Sequence, residues 1–179
     1  MVYMVTSPPP NPQMYDLALD ENTGRLYVTD GTNTIRCYDT NSWQYDPNNS
    51  FTISHPAVGI AVDPCRGYLY TGQCIEGEEG LFGHQYLVRT NLSDHNSIDT
   101  NVGQNQYIIG IDVDKDSSLV YCTTTNNDFR VYDCNLTLQH SCSDIGYSPT
   151  GPGPAPCGSR GRRLIRAVGG SQYHERDRL

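Results

Sequence analysis

Positive charge is scarce along most of this chain. Of 179 residues only 12 are Lys or Arg, against 20 Asp or Glu. Residues 1–149 hold five arginines, Lys115 and eighteen acids, a balance of −12, whereas residues 150–179 hold six arginines and two acids, a balance of +4. A body this acidic repels a phosphate backbone, so nucleic acid is not an expected partner. Long apolar runs are also lacking. No stretch approaches the roughly 18 residues of a membrane span, and Met1–Pro10 has neither the basic start nor the apolar length of a signal peptide. The Walker loop, the G-x-G-x-x-G turn and the G-x-S-x-G elbow are missing, which removes the simplest signs of nucleotide binding or of a serine hydrolase. With 18% charged residues the composition fits neither a coiled coil nor a charge-rich disordered chain. One globular domain is expected.

What the chain does contain is a repeat. Three segments align without gaps: LALDENTGRLYVTD from Leu17, IAVDPCRGYLYTG from Ile60 and IDVDKDSSLVYCT from Ile111. Each opens on alternating apolar residues and an Asp (Asp20, Asp63, Asp114). A small residue follows four positions later (Gly24, Gly67, Ser118), then an apolar residue and a tyrosine (Tyr27, Tyr70, Tyr121). Period-two runs around a polar turn predict a hairpin, with the Asp accepting hydrogen bonds from turn amides. A third strand is expected before Asn41, Asn91 and Asn135, in TIRCYDTNS, YLVRTNLS and FRVYDCNLT. Fourth strands are expected at Phe51–Ser54 and Leu136–Ser141, with Tyr3–Thr6 serving the first unit. By this alignment the middle unit carries about seven extra residues, read as a glycine-rich loop from Gln73 to Gln85. Units of about 40–50 residues with four short strands have the length of a β-propeller blade.

The pattern apolar-D-x-x-x-G-x-L-Y-V-T-D … I-x-x-Y-D-T-N resembles the blades of the NHL, YWTD and YVTN family of six- or seven-bladed propellers, over about residues 14–148. The resemblance implies an all-β fold in which each blade's first strand lines the axis. It also implies that the loops leading into that strand and those joining strands two and three share one binding face. The expected organisation is a repeat region over 1–148, in blades of about 3–54, 55–104 and 105–148, and a Gly/Pro/Arg-rich tail, 149–179, expected to be disordered. Three blades form an incomplete propeller, since a closed ring is how this architecture hides its strand edges. Open blade faces, built from residues such as Val28, Ile35, Tyr121 and Val131, predict self-association.

Candidate chemistry is sparse. Seven cysteines invite at least one disulfide, though none shows C-x-x-C spacing; Cys37 and Cys122 are expected in the core. Sequons stand at Asn48, Asn91 and Asn135, the last two at equivalent repeat positions by this alignment, and they favour an extracellular or cell-surface setting. The D-x-D-x-D of Asp112, Asp114 and Asp116 lacks the later ligands of a calcium loop and is read as a solvated turn. Glu76, Glu78, Glu79 and His84 in the predicted loop, with His55 ahead of a central strand, form the candidate binding cluster. Its donor set suits a divalent cation, though no cofactor is otherwise indicated. No catalytic or metal-ligating residues are assigned. The expected role is a non-enzymatic binding or scaffold module for a protein or glycan partner. A metal-dependent lactonase- or lyase-like propeller enzyme, which the resemblance also includes, is the alternative.

Overall fold

Each aligned Asp does what a four-residue turn needs. Asp20 Oδ1 accepts the amides of Asn22 (2.9 Å) and Thr23 (3.3 Å). Asp63 Oδ1 accepts those of Cys65 (3.1 Å) and Arg66 (3.2 Å), and Asp114 Oδ1 accepts that of Asp116 (3.0 Å). The small residue ending each turn lies in the left-handed region, with φ of 68° at Gly24, 67° at Gly67 and 60° at Ser118. Glycine adopts that backbone freely and serine does not. Three hairpins with identical register result, since Leu17 pairs with Val28, Ile60 with Thr71 and Ile111 with Cys122.

The structure is a computed structural model that describes residues 14–76, 82–104 and 107–143. Its thirteen described strands form three antiparallel sheets, and no helix occurs among these residues. The first sheet orders β1 (Asp16–Asp20), β2 (Arg25–Thr29), β3 (Thr34–Asp39) and β4 (Gln44–Tyr45), with β5 (Phe51–Thr52) also pairing with β3. The second orders β6 (Ala57–Asp63), β7 (Tyr68–Glu76), β8 (Phe82–Asn91) and β9 (Ser97–Gln104). The third orders β10 (Ile108–Asp114), β11 (Leu119–Thr124), β12 (Phe129–Tyr132) and β13 (Leu138–Cys142). β1 lies against β6 and β6 against β10, so the first strands stand side by side as blades around an axis. This is an all-β, β-propeller arrangement of three blades.

Strand alternation sends each blade's two faces to different neighbours. Between blades one and two, Tyr27, Ile35 and Cys37 meet Ile60, Val62 and Leu69. Between blades two and three, Tyr70, Leu87 and Val102 meet Val113, Val120 and Cys122. Gly72 permits the second contact, because a Cβ there would come within 2.6 Å of Ile108 Cβ. The hairpin turns are tied to one another as well. Asn22 Nδ2 donates to Pro64 O (2.9 Å), Arg66 Nη1 donates to Lys115 O (3.2 Å), and Lys115 Nζ reaches Glu21 Oε2 (3.2 Å).

Several sequence expectations change at the second and third strands. Gln73–Gln85 is largely not a loop, because β7 and β8 stay paired outward to Glu76 and Phe82. Tyr27 pairs with Cys37 and Tyr121 with Val131, each ten positions apart, whereas Tyr70 pairs with Arg89, nineteen apart. Nine extra residues, rather than seven, therefore lengthen a hairpin. The same register aligns Cys37 with Arg89, and aligns Asn91 with Asp39 and Asp133. The sequons at Asn91 and Asn135 are thus not equivalent. Of the expected fourth strands, Phe51–Thr52 joins the first sheet and Leu138–Cys142 the third. β9 went unseen in the sequence, since SIDTNVGQ holds only two large apolar residues and is mostly exposed. Ile35 is fully buried between blades one and two instead of facing outward. Val28 and Val131 are also buried, so the exposed apolar side chains of the free blade face are Leu17 and Leu19, at 61% and 43% exposure. Tyr3–Thr6 and the tail beyond residue 143 lie outside the described residues.

Candidate functional site

The segments leading into the first strands are pinned to the outer ends of the second strands. Tyr15 N donates to Thr29 O (2.9 Å), Cys74 N to Pro56 O (3.0 Å) and Thr125 N to Tyr107 O (2.9 Å). Consecutive blades are joined at this end too, through Ala57 N to Thr32 O (3.1 Å). Asp16 adds a cross-blade link: its Oδ2 accepts Ile60 N (3.0 Å) beside the irregularity in β6 between Ala57 and Ile60. Burial raises the Asp16 pKa above the usual carboxylate value, outweighing the Ile60 and Leu17 amides that lower it.

A cavity of about 540 Å³ opens inside this frame. Tyr15, Val58 and Ile109 line it from the same repeat position in each blade, two residues before the aligned Leu17, Ile60 and Ile111. Pro56 and Tyr107, two residues earlier again, add a second equivalent pair, and Gly31 with Cys74 a third from the ends of the second strands. The Tyr15 ring rests on Gly31, where an added Cβ would sit 2.6 Å from Cε2 and where φ is +75°. Tyr15 and Ile109 are each 52% exposed, so the cavity presents aromatic and aliphatic surface to solvent. Sequence reading missed these residues because none belongs to the conspicuous hairpin motif. Extending the repeat alignment a few residues upstream would have found them.

Polar side chains behind the mouth are occupied in holding it together. Gln73 is buried; its Oε1 accepts His55 N (3.1 Å) and its Nε2 donates to Thr71 Oγ1 (3.0 Å). Asp30, at the position equivalent to Gln73, accepts Arg36 Nε (2.7 Å) and the Thr32 amide (3.0 Å). Burial alone would raise its pKa, but the Thr32 and Arg36 bonds prevail and hold the carboxyl below its usual range.

Of the expected cluster the structure describes only part. His55 is half-buried ahead of β6, with its backbone amide on Gln73. His84 is exposed within β8, its Nδ1 3.1 Å from Asn101 Nδ2 and its Nε2 2.9 Å from Gln104 Nε2. Glu76 ends β7, whereas Glu78 and Glu79 lie outside the described residues. Among the described residues no group of three His, Cys, Asp or Glu side chains converges as a metal site would require. Asn48 and Asn135 are exposed, while Asn91 is half-buried and its Oδ1 caps the Ser93 amide (2.9 Å).

Among the described residues no disulfide joins any two of the six cysteines, where the sequence invited at least one. Cys37 and Cys122 are core residues as expected, with burial pushing their thiols up to about 11 and about 12. Cys74 is buried at the cavity, while Cys65, Cys134 and Cys142 occupy turns and a strand end; Cys157 lies outside the described residues.

No family model matches the chain, and no curated protein does. Solved structures do. Hydrazine synthase of Kuenenia stuttgartiensis superposes over 76% of this chain and 37% of its own, with a TM-score of 0.59 at 15% identity. The structure of U3-55K superposes over 78% of this chain and 41% of its own, with a TM-score of 0.60 at 9% identity. The chain thus spans about two fifths of either protein's length. At such identities the likeness is one of fold, and the fold is that of a β-propeller.

Proposed function

We propose that this chain is a non-enzymatic binding module of an NHL/YWTD/YVTN-type propeller, and that the mouth at the lead-in end of its first strands receives an apolar or aromatic side chain from a protein partner. The observation that carries this is the repeat-derived cavity itself. Its lining is aliphatic and aromatic, with two tyrosines (Tyr15, Tyr107) that offer amphipathic contact area at small entropic cost. The mouth is also braced by backbone bonds from every blade, which lowers the cost of ordering it on binding. Asp16, Asp30 and Gln73 favour binding over chemistry, since each is committed to bonds within the scaffold. Propeller folds serve in general as binding or scaffold surfaces. An extracellular or cell-surface setting rests on the exposed sequons at Asn48 and Asn135.

The test is a displayed-peptide selection against the wild-type chain, with counter-selection against Val58→Asp and Ile109→Asp variants. Peptides that carry a large apolar residue and lose binding to either variant are expected. Recovered peptides that bind wild type and both variants equally would remove the mouth from the interaction.

A further inference from the structure

We propose that the partner side chain received by the mouth is flanked by a Lys or Arg whose cation pairs with Asp16, an inference that rests on the binding role proposed above and adds the partner's charge to it. Asp16 stands between two of the lining residues. It follows Tyr15 in the chain, and its Oδ2 accepts the amide of Ile60 (3.0 Å), two residues beyond Val58. Its Oδ1 accepts the Leu17 amide (2.9 Å). These amides use two of the roughly four acceptor positions of a carboxylate, so the group can still take a charged donor.

The cations of the chain leave that place open. Residues 1–149 hold five arginines and Lys115, and all six are described. At the mouth end, Arg36 pairs with Asp30 (2.7 Å) and Arg130 with Asp128 (3.2 Å). Toward the hairpin turns, Arg66 pairs with Asp63 (3.0 Å) and Lys115 with Glu21 (3.2 Å). Arg89 lies over the Tyr68 ring at 4.3 Å, and Arg25 opens β2 opposite Asp20. None of the six pairs with Asp16. Asp16 is half-buried, and burial raises its pKa because the two amides only partly replace water around the charge. A cation supplied from outside therefore stabilises this carboxylate more than it would a fully hydrated one. Tyr15 and Tyr107 line the same cavity, and the stem and charge of a Lys or Arg both pack favourably on such rings. The balance of −12 over residues 1–149 attracts a basic segment and repels an acidic one.

Isothermal titration calorimetry on the full chain, with three synthetic heptapeptides, is the test. The peptides share a central tryptophan and differ only in the two residues beside it, which are Arg, Gln or Glu. The Arg-flanked peptide should bind about tenfold more tightly than the Gln-flanked one, and the Glu-flanked one most weakly. Asp16→Asn keeps an oxygen for the Ile60 amide but removes the charge. It should erase the advantage of the Arg-flanked peptide, leave the Gln-flanked one unchanged and keep the wild-type circular-dichroism spectrum. Glu21→Gln makes the same change in net charge beyond the far end of β1, about 17 Å away, and should leave the ranking intact. Equal binding of the Arg- and Gln-flanked peptides to wild type would overturn the pairing, as would an Arg advantage that survives Asp16→Asn. If the peptides then still lose binding to Val58→Asp, the mouth stands and only its charge assignment falls. The absence of any binding that depends on Val58 would remove both.

Discussion

Tyr27 and Tyr70 occupy one repeat position, yet removing their hydroxyls should move stability in opposite directions. The rings are 2% and 0% exposed, so the transfer of carbon surface is the same for both. Their hydroxyls differ. Burial pushes the Tyr27 phenol up to about 12, and Arg25 hydrogen-bonds to its oxygen. The Tyr70 hydroxyl is buried with no hydrogen-bond partner, and burial likewise raises its pKa. Losing a satisfied hydrogen bond costs about 0.5–1.5 kcal/mol net, whereas a buried hydroxyl without a partner already costs about 1–3 kcal/mol of desolvation. Tyr27→Phe should therefore destabilise by about 1 kcal/mol, and Tyr70→Phe should be neutral or stabilising by up to about 1 kcal/mol. Tyr121→Phe, at the half-buried third position, is the control and should change little. Urea unfolding at one fixed protein concentration, with m-values compared, measures all three. A loss of about 1 kcal/mol or more in Tyr70→Phe would refute the reasoning, by showing that this hydroxyl is satisfied in solution.

Three further outcomes follow from the same packing. Gly72→Ala should destabilise by about 1–3 kcal/mol, because the added methyl meets Ile108 Cβ at 2.6 Å where two sheets touch; thermal melts check it. Ser118→Gly should stabilise by about 1 kcal/mol, since Ser118 holds φ of 60° where Gly24 and Gly67 serve the other turns; a higher urea midpoint is the readout. The lowered Asp30 carboxyl gives a stabilisation fully present above the ordinary carboxyl pKa of 3.8 and lost as pH falls through the lower folded value, so Asp30→Asn should flatten the acid limb of stability below about pH 5.

The hairpins were legible in the sequence because local chemistry alone specifies them. An Asp that caps its own turn and a Gly that takes positive φ lie within five residues of each other, and no distant contact is needed to explain either. The third strands were read less well. Asn marks a turn in YLVRTNLS and FRVYDCNLT, but in the first the Asn is itself the capping residue, and in the second Asp133 caps two positions earlier. Either residue satisfies the same amides, so composition does not reveal the two-residue offset that the sheet register fixes. The glycines of Gln73–Gln85 misled for a related reason. Gly83 is a strand residue here, as is Gly72 just ahead of the segment, and Gly72 is explained only by Ile108, thirty-six positions away.

The mouth shows where a repeat's conserved spacing and its functional surface part company. Positions that fold the blade must keep their chemistry, which is why Asp20, Asp63 and Asp114 recur. The positions two residues before Leu17, Ile60 and Ile111 carry Tyr15, Val58 and Ile109, which share a place but not an identity. The lead-in segments that carry them are held by backbone bonds at Tyr15, Pro56 and Tyr107, so the side chains are free to vary without unfolding the blade. A binding surface built on such positions leaves no motif in one sequence. It is found by counting outward from the residues that do.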